Sequence, residues 1–180
     1  MTREIEPFRQ GELDSLCGLY ATLNALHALC PDLDGEVAEV IFPKMVKSLA
    51  RQADRPLAAL CSGMSQDLVE AMLTIACREV ERILGVRIRF RALAPFDEPP
   101  GLEGLWRRLQ DDIGRKQVAL LGISGAHEHW TVAYAITPKV MRLVDSQNWR
   151  VLMRDRCTTQ PARTRFRLDP AAIILVRRKG

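Results

Sequence analysis

Residues 129–145 read HWTVAYAITPKVMRLVD, and this stretch decides the fold of the C-terminal half of the chain. Residues 129–136 and 140–145 are mostly apolar, whereas Pro138 and its two neighbours interrupt the apolar pattern between them. A proline within such an interruption is typical of a turn that joins two strands. The stretch therefore predicts a β-hairpin.

The register of this hairpin brings two ionisable residues together. Residues that face each other across an antiparallel pair have numbers with a constant sum, and His129 and Asp145 add to 274, which centres the reversal on Thr137. We predict that they are direct cross-strand neighbours with Cβ atoms about 4.5–5.5 Å apart, so that the carboxylate accepts the imidazole N–H and fixes its tautomer. A turn with an even number of residues instead places Asp145 on the other face of the sheet.

The segments outside the hairpin extend the β-rich half. Continuous apolar runs at 117–123 and 171–177 predict buried strands. Alternating apolar and cationic residues in 86–91 predict a strand with one exposed face. The proline-rich residues 94–101 are the best linker candidate, and residues 102–113 predict a short helix.

The N-terminal half is predicted to be helical. Apolar residues recur at helical spacing in 15–29, in 34–53 and from Ser65 to about residue 85. Pro43 predicts a kink or a break in the second of these helices. Gly85 predicts a C-cap for the third.

The order of elements indicates one domain of the α+β class. A helical lobe at about residues 1–85 is expected to pack on a mainly antiparallel β lobe at about residues 86–180. The length of 180 residues, with 47% apolar and 27% charged residues, fits a single globular domain.

Charge and hydropathy exclude several classes of protein. The net charge is +4, and the excess of basic residues lies mostly in the last third of the chain without interleaved aromatic residues, so no nucleic-acid partner is expected. No run approaches the ~18 apolar residues of a membrane span, and the acidic residues near the start do not suit a signal peptide. We therefore expect a cytoplasmic protein without a membrane partner, whose oligomeric state the sequence does not indicate.

The cysteines indicate neither a disulfide framework nor a zinc ribbon. Their number is odd and no pair has CxxC spacing. No metal or other cofactor is therefore expected. Cys30 is predicted at the end of its helix, Cys61 and Cys157 in loops, and Cys77 on an apolar helical stripe.

The remaining cysteine, Cys17, differs from these four because it falls in the first turn of the first predicted helix. Asp14 or Ser15 is available as the N-cap of that helix. A helix N-terminus and a neighbouring imidazolium both favour the thiolate form of a cysteine, which is the nucleophilic form. Cys17 is thus the candidate nucleophile. Its partners come from the predicted hairpin.

His129 is the candidate base and Asp145 the residue that orients it. His127 has the same strand parity as His129 and stays open as an alternative base, and Asn148 stays open as an alternative orienting residue. Acyl transfer through a thiolate also needs hydrogen-bond donors for the oxyanion. Gln10 lies in the loop that enters the first helix and can add a side-chain amide to the backbone N–H at the nucleophile.

These four residues appear in the order Gln10, Cys17, His129 and Asp145. This order resembles the papain-like cysteine peptidase superfamily, whose members present Gln, then Cys at the start of a buried helix, then His and Asn or Asp on strands of a β lobe. The segments QGELDSLCGLY at 10–20, HWTV at 129–132 and VDS at 144–146 are most similar to its compact bacterial branches. They are similar to the domains that trim bacteriocin leaders and, more loosely, to Josephin-type deubiquitinases.

The resemblance implies a cysteine hydrolase that cleaves a peptide or isopeptide bond in a peptide or protein substrate through a Cys17 thioester. Gln10 would then supply an oxyanion donor, His129 the general base and acid, and Asp145 the orienting carboxylate. Two alternatives remain open. One is a transglutaminase or acyltransferase with the same residues, and the other is a non-catalytic binding or effector module on the same fold.

Overall fold

The computed structural model of the chain describes residues 5–11, 15–52, 63–93, 96 and 101–179. Its helices are α1 (Cys17–Leu29), α2 (Gly35–Gln52), α3 (Gln66–Leu84) and α4 (Leu102–Asp112). Its strands are β1 (Ile88–Ala92), β2 (Gln117–Gly125), β3 (His129–Ile136), β4 (Val140–Val144), β5 (Val151–Met153), β6 (Cys157–Thr158) and β7 (Phe166–Arg178). One turn of 3-10 helix, Arg154–Arg156, connects β5 to β6.

The helices of the N-terminal half lie close to their predicted positions. α3 begins after Ser65 and ends at Gly85, whose φ of +66° gives the left-handed C-cap predicted for a glycine. α2 contains Pro43 and is not divided there, although its predicted end at Ala53 lies outside the described residues. None of the helices in the described part of the chain is long and apolar enough to cross a membrane.

The helix α1 begins at Cys17, as predicted, but its N-cap differs from the predicted one. Leu16 occupies the N-cap position and makes no side-chain cap hydrogen bond. Ser15 therefore does not cap the helix, and Asp14, the other candidate cap, lies outside the described residues.

The strands form the mostly antiparallel sheet expected for the C-terminal half. Within the described residues this sheet has seven strands in the order β1-β7-β2-β3-β4-β5, with β6 paired to β7. The β6–β7 pair is parallel and the other pairs are antiparallel. The fold is thus α+β, with the N-terminal helices packed on an antiparallel sheet.

Helices cover both faces of the sheet. α1, α2 and α3 share an apolar cluster with Leu120 and Val132, whereas α4 shares the cluster on the opposite face with Leu121 and Ala133. Neighbouring residues in β2 and β3 therefore enter different clusters, which explains the continuous apolar sequences of these strands. The sequence predicts the helix α4 but not the face on which it packs.

The register of the β3–β4 hairpin differs from the predicted one. Next to the turn, Ile136 pairs with Met141, and their numbers add to 277. Farther from the turn, Val132 pairs with Val144, and their numbers add to 276. The predicted sum of 274, and with it the direct pairing of the two ionisable residues, is wrong.

Two features of the hairpin have opposite effects on which face of the sheet Asp145 occupies. A sum of 277 means a turn with an even number of residues, which by itself places Asp145 on the face opposite His129. A bulge at Tyr134 in β3 returns the sum to an even number. Continuing this register past β4 places Asp145 opposite Thr131, so Asp145 is a diagonal neighbour of His129 on the same face.

Candidate active site

A cleft of about 650 Å³ opens at the end of the sheet where β3 begins, beside the N-terminus of α1. Gln10, Cys17 and His129 line this cleft, and Asp145 is hydrogen-bonded to His129 and 1% exposed. The four residues singled out in the sequence therefore lie together in the fold. Their roles in chemistry remain predictions.

Cys17 is the first residue of α1 and is 7% exposed. The first N–H groups of an α-helix have no acceptor within the helix, which makes its N-terminus electropositive. The next residue, Gly18, lets α1 approach the wall of the cleft, because a Cβ there would lie 2.9 Å from the Met64 sulfur. Cys17 thus lies at a helix tip that packs closely against the cleft wall at Met64.

The imidazole of His129 is held by the carboxylate of Asp145. The two groups are 2.7 Å apart between Nε2 and Oδ2, and both residues are buried. An ionised carboxylate can only accept hydrogen bonds, so Nε2 carries the proton. This contact fixes the orientation of the ring.

His129 also contacts Cys17. The two residues line the same cleft, and the thiol lies close enough to the imidazole to raise its pKa. Because Asp145 occupies Nε2, the ring nitrogen left for Cys17 is Nδ1. A ring held by a carboxylate at one nitrogen, with a thiol near the other, is the arrangement that a base and its orienting group require.

The surroundings of His129 favour its charged form. Burial lowers the pKa of the imidazole, but the hydrogen bond with Asp145 and the nearby Cys17 thiol outweigh it, and the pKa rises from 6.5 to about 9. For Asp145, burial raises the pKa of the carboxyl, but the His129 contact, the nearby Thr131 hydroxyl and the Trp149 backbone N–H outweigh it and lower that pKa. The charged imidazolium–carboxylate pair is thus the favoured state near neutral pH.

Asp145 is fixed by the loop that follows it. Its Oδ1 accepts hydrogen bonds from the backbone N–H groups of Gln147 at 2.8 Å and Trp149 at 3.2 Å. Asn148 lies between these donors with a left-handed φ of +66°, and its own N–H donates to the Asp145 carbonyl. The loop therefore leaves Oδ2 to face His129.

The alternative residues left open by the sequence are placed differently. Asn148 is exposed, and it is Asp145 that forms the hydrogen bond to His129. His127 lines the same cleft but is exposed, with its ring centroid 5.8 Å from that of His129. The geometry thus favours His129 and Asp145 over both alternatives.

Gln10 lines the cleft and is tied to the Asp145 loop. Its backbone N–H donates to the Ser146 carbonyl at 3.1 Å, and the Ser146 hydroxyl donates to its Oε1 at 3.4 Å. The side-chain NH₂ group is the donor that an oxyanion needs.

The buried side chain of Asn24 in α1 anchors the segment that carries Gln10. Its Oδ1 accepts from the Phe8 N–H at 2.7 Å, and its Nδ2 donates to the Phe8 carbonyl at 3.1 Å. The sequence places Asn24 on the helix but does not indicate this contact, since it spans 16 residues. A buried Asn at that point is the only sequence signal for it.

Trp149 and Thr131 complete the surroundings of the His129–Asp145 pair. Trp149 flanks the Asp145 segment in the sequence, whereas no sequence motif singles out Thr131. The Trp149 ring packs against the His129 ring, with 5.2 Å between the ring centroids. The Thr131 hydroxyl is close enough to the Asp145 carboxyl to lower its pKa, although no described residue gives Oγ1 a hydrogen bond of good geometry. Strand parity could identify Thr131, because it lies two residues after His129.

Trp130 points to the opposite face of β3, as its parity indicates. It is 7% exposed and packs in the cluster beneath the N-terminal helices. Its Nε1 donates to the Met64 carbonyl at 2.8 Å, and both residues also line the cleft. Trp130 thus holds the wall segment that faces Gly18.

The other described cysteines are buried away from this cleft. Burial raises the pKa of the Cys77 and Cys157 thiols to about 12. Cys157 is predicted in a loop, but it begins β6, and its thiol donates to the Met153 carbonyl at 3.3 Å. Cys30 follows the end of α1, as predicted, and Cys61 lies outside the described residues.

Comparisons with known proteins give no assignment. No protein-family model matches the chain, and no curated protein matches it. Within the described part of the chain, no group of three or more His, Cys, Asp and Glu residues is arranged to hold a metal ion. What the site does is therefore argued from its residues.

Proposed function

We propose that this chain is a papain-like cysteine hydrolase that cleaves a peptide or isopeptide bond in a peptide or protein substrate. One observation carries the proposal: the buried imidazole of His129 is hydrogen-bonded to Asp145, and it lies in the same cleft as Cys17, close enough for the thiol to raise its pKa. Such a spatial arrangement of nucleophile, base and orienting group is the general requirement for covalent catalysis by a thiol.

The first step is activation of the thiol. His129 takes the proton of Cys17, which leaves a thiolate at the N-terminus of α1 and an imidazolium beside Asp145. The raised pKa of His129 supports this step, because it favours the protonated ring at neutral pH. The carboxylate of Asp145 stabilises the positive charge.

The second step is acylation. The Cys17 thiolate forms a bond to the scissile carbonyl carbon, and the carbonyl oxygen takes the negative charge. The backbone N–H of Cys17 and the side-chain amide of Gln10 are the donors proposed for this oxyanion. As the intermediate collapses, His129 gives its proton to the leaving amine, and the acyl group remains on Cys17 as a thioester.

The third step returns the enzyme to its starting state. His129 removes a proton from water, the hydroxide attacks the thioester carbonyl, and Cys17 leaves as the thiolate. An amine in place of water would give acyl transfer with the same residues. Product analysis with and without an added primary amine distinguishes the two outcomes.

Selective alkylation of the thiols tests the proposal without a known substrate. The full chain carrying Cys61→Ser is treated with iodoacetamide near neutral pH, and mass spectrometry of its peptides follows each cysteine. We expect Cys17 to react far faster than Cys77 and Cys157, whose raised pKa values keep them as thiols. His129→Gln should slow the Cys17 reaction by about 10²-fold or more.

His127→Gln is the matched control, because His127 lines the same cleft and is exposed. It should leave the Cys17 reaction within a few-fold of the original rate. Equal labelling of all the thiols, or no effect of His129→Gln, would favour the non-catalytic binding module. If His127→Gln, and not His129→Gln, slowed the alkylation of Cys17, His127 would be the base.

A further inference from the structure

A second cleft, of about 530 Å³, lies at the other end of β2 and β7 from the candidate active site. It is formed where the end of α4 meets β1, β7 and the start of β2. Five cations line it: Arg89, Arg91, Lys116, Arg177 and Lys179. No lysine or arginine of the described residues lines the candidate active-site cleft.

The strand register places Arg177 in a row without an acidic neighbour. Arg89 lies opposite it on β1, and Gln117 lies opposite it on β2. Like charges directly opposite each other destabilise a sheet, so this arrangement is unfavourable for the isolated protein. An anion bound across the row would remove that repulsion.

The cations of this cleft are only partly neutralised by the chain itself. Arg89 lies 3.7 Å from Glu81, and Arg91 lies 3.9 Å from Asp112, both long ion pairs. Among the described residues, no carboxylate lies within ion-pair distance of Lys116, Arg177 or Lys179.

The two carboxylates of the cleft do not balance these charges. Asp112 is held by Arg108 at 2.7 Å and by the side-chain amide of Gln117 at 3.4 Å. Asp111 is exposed at the end of α4. The cleft therefore keeps a net positive charge.

We propose that this cleft binds an extended acidic peptide segment. Arg89 and Arg91 alternate on β1 and lie on one face about 6.5–7 Å apart, which is also the spacing of alternate side chains in an extended peptide. Glutamate or aspartate at alternate positions of such a segment matches the two guanidinium groups, which bind carboxylates with paired hydrogen bonds. Arg177 and Lys179 extend the same positive surface.

The lining favours a peptide over a nucleic acid. Phe90 is the one aromatic residue among the described residues that line the cleft, and it packs toward the N-terminal helices. The cleft therefore offers no stacking platform for bases.

Binding of a fluorescein-labelled peptide that alternates glutamate and serine tests the proposal by fluorescence anisotropy. The full chain should bind the peptide saturably, and more weakly as salt is added. Arg177→Gln combined with Lys179→Gln should weaken binding by about tenfold. Cys17→Ala should bind as the original chain does, so the result is independent of the proposed hydrolase.

Arg142→Gln is the matched control, because Arg142 is an exposed arginine on β4 outside this cleft. It should change the affinity by less than about twofold. Absence of saturable binding, or an equal loss in the control, would mean that these cations only protect the edge of the sheet from pairing with other chains. Tighter binding of a single-stranded oligonucleotide of equal charge would assign the cleft to nucleic acid and overturn the proposal.

Discussion

The two clefts at opposite ends of β2 and β7 hold charge in contrasting ways. In the candidate active site, His129 and Asp145 are 4% and 1% exposed, and their charges are matched by short hydrogen bonds. In the second cleft, which is lined by five cations, Arg177 is exposed and lies opposite Arg89. The candidate active site thus contains two buried, paired charges, whereas the second cleft contains several charges that are exposed to solvent.

The difference sets how each site responds to change. A buried ion pair depends on every contact, since loss of one partner leaves an unpaired charge in a medium of low dielectric constant. Exposed charges interact weakly and are screened by salt, so their effect depends on their number. Substitutions in the first site should therefore have large effects on stability, and those in the second should have small ones.

The largest effect is expected from Asp145→Ala, which breaks the buried pair. The free energy of unfolding should fall by about 3–5 kcal/mol, because His129 loses its counter-charge and two backbone N–H groups lose their acceptor. Urea unfolding at neutral pH measures this loss.

Asp145→Asn separates the loss of the counter-charge of His129 from the loss of the acceptor for the two backbone N–H groups. The amide oxygen still accepts from the loop, so this variant should be more stable than Asp145→Ala by about 1–3 kcal/mol. The pKa of His129, measured by NMR titration of its ring, should nevertheless fall by about 1–3 units. An unchanged pKa would show that Asp145 does not control the charge of the imidazole.

A smaller effect is expected from the titration of His129. Its pKa is raised on folding from 6.5 to about 9, so its contribution to stability is complete below about pH 6.5 and is lost as the pH rises through about 9. We expect the free energy of unfolding to fall by about 1–3 kcal/mol across this window. Above it, the buried thiols of Cys77 and Cys157 add a further fall, since unfolding lets them ionise.

Urea unfolding at several pH values compares the original chain with His129→Gln and His127→Gln. The fall between about pH 6.5 and 9 should disappear in the first variant and persist in the second. A fall of equal size in all three proteins would place its origin outside the candidate active site.

The smallest effect is expected from Arg177→Gln. Removing one of two facing arginines relieves repulsion on an exposed surface, so the free energy of unfolding should stay equal or rise by less than about 0.5 kcal/mol. Thermal unfolding at low and high salt measures the change, and the difference between the two proteins should shrink in high salt. A marked loss of stability would mean that Arg177 has a structural role. It would also contradict the expectation that substitutions in the second cleft have small effects on stability.

The sequence is sufficient for features that depend on local chemistry. The apolar spacing of 15–29 predicts a helix with Cys17 in its first turn, and Gly85 predicts the end of α3. Pro138 marks the turn of the hairpin. In each case a few neighbouring residues determine the backbone, so no knowledge of distant contacts is needed.

Features that depend on distant contacts are not predictable in this way. Cys157 is assigned to a loop because the two-residue strand β6 exists only through its pairing with β7. Asn24 and Phe8 meet because α1 packs beside the N-terminal segment. The hairpin register also fails, because the turn has an even number of residues and because counting from the turn does not reveal the bulge at Tyr134.

The bulge at Tyr134 ties the length of the turn to the orientation of the carboxylate. Insertion or deletion of one residue in the hairpin would preserve both strands yet rotate Asp145 away from the imidazole. Only a second single-residue change between His129 and Asp145 would bring it back. Insertions and deletions in this hairpin should therefore preserve the site only in compensating pairs, which links the length of the turn to the bulge in β3.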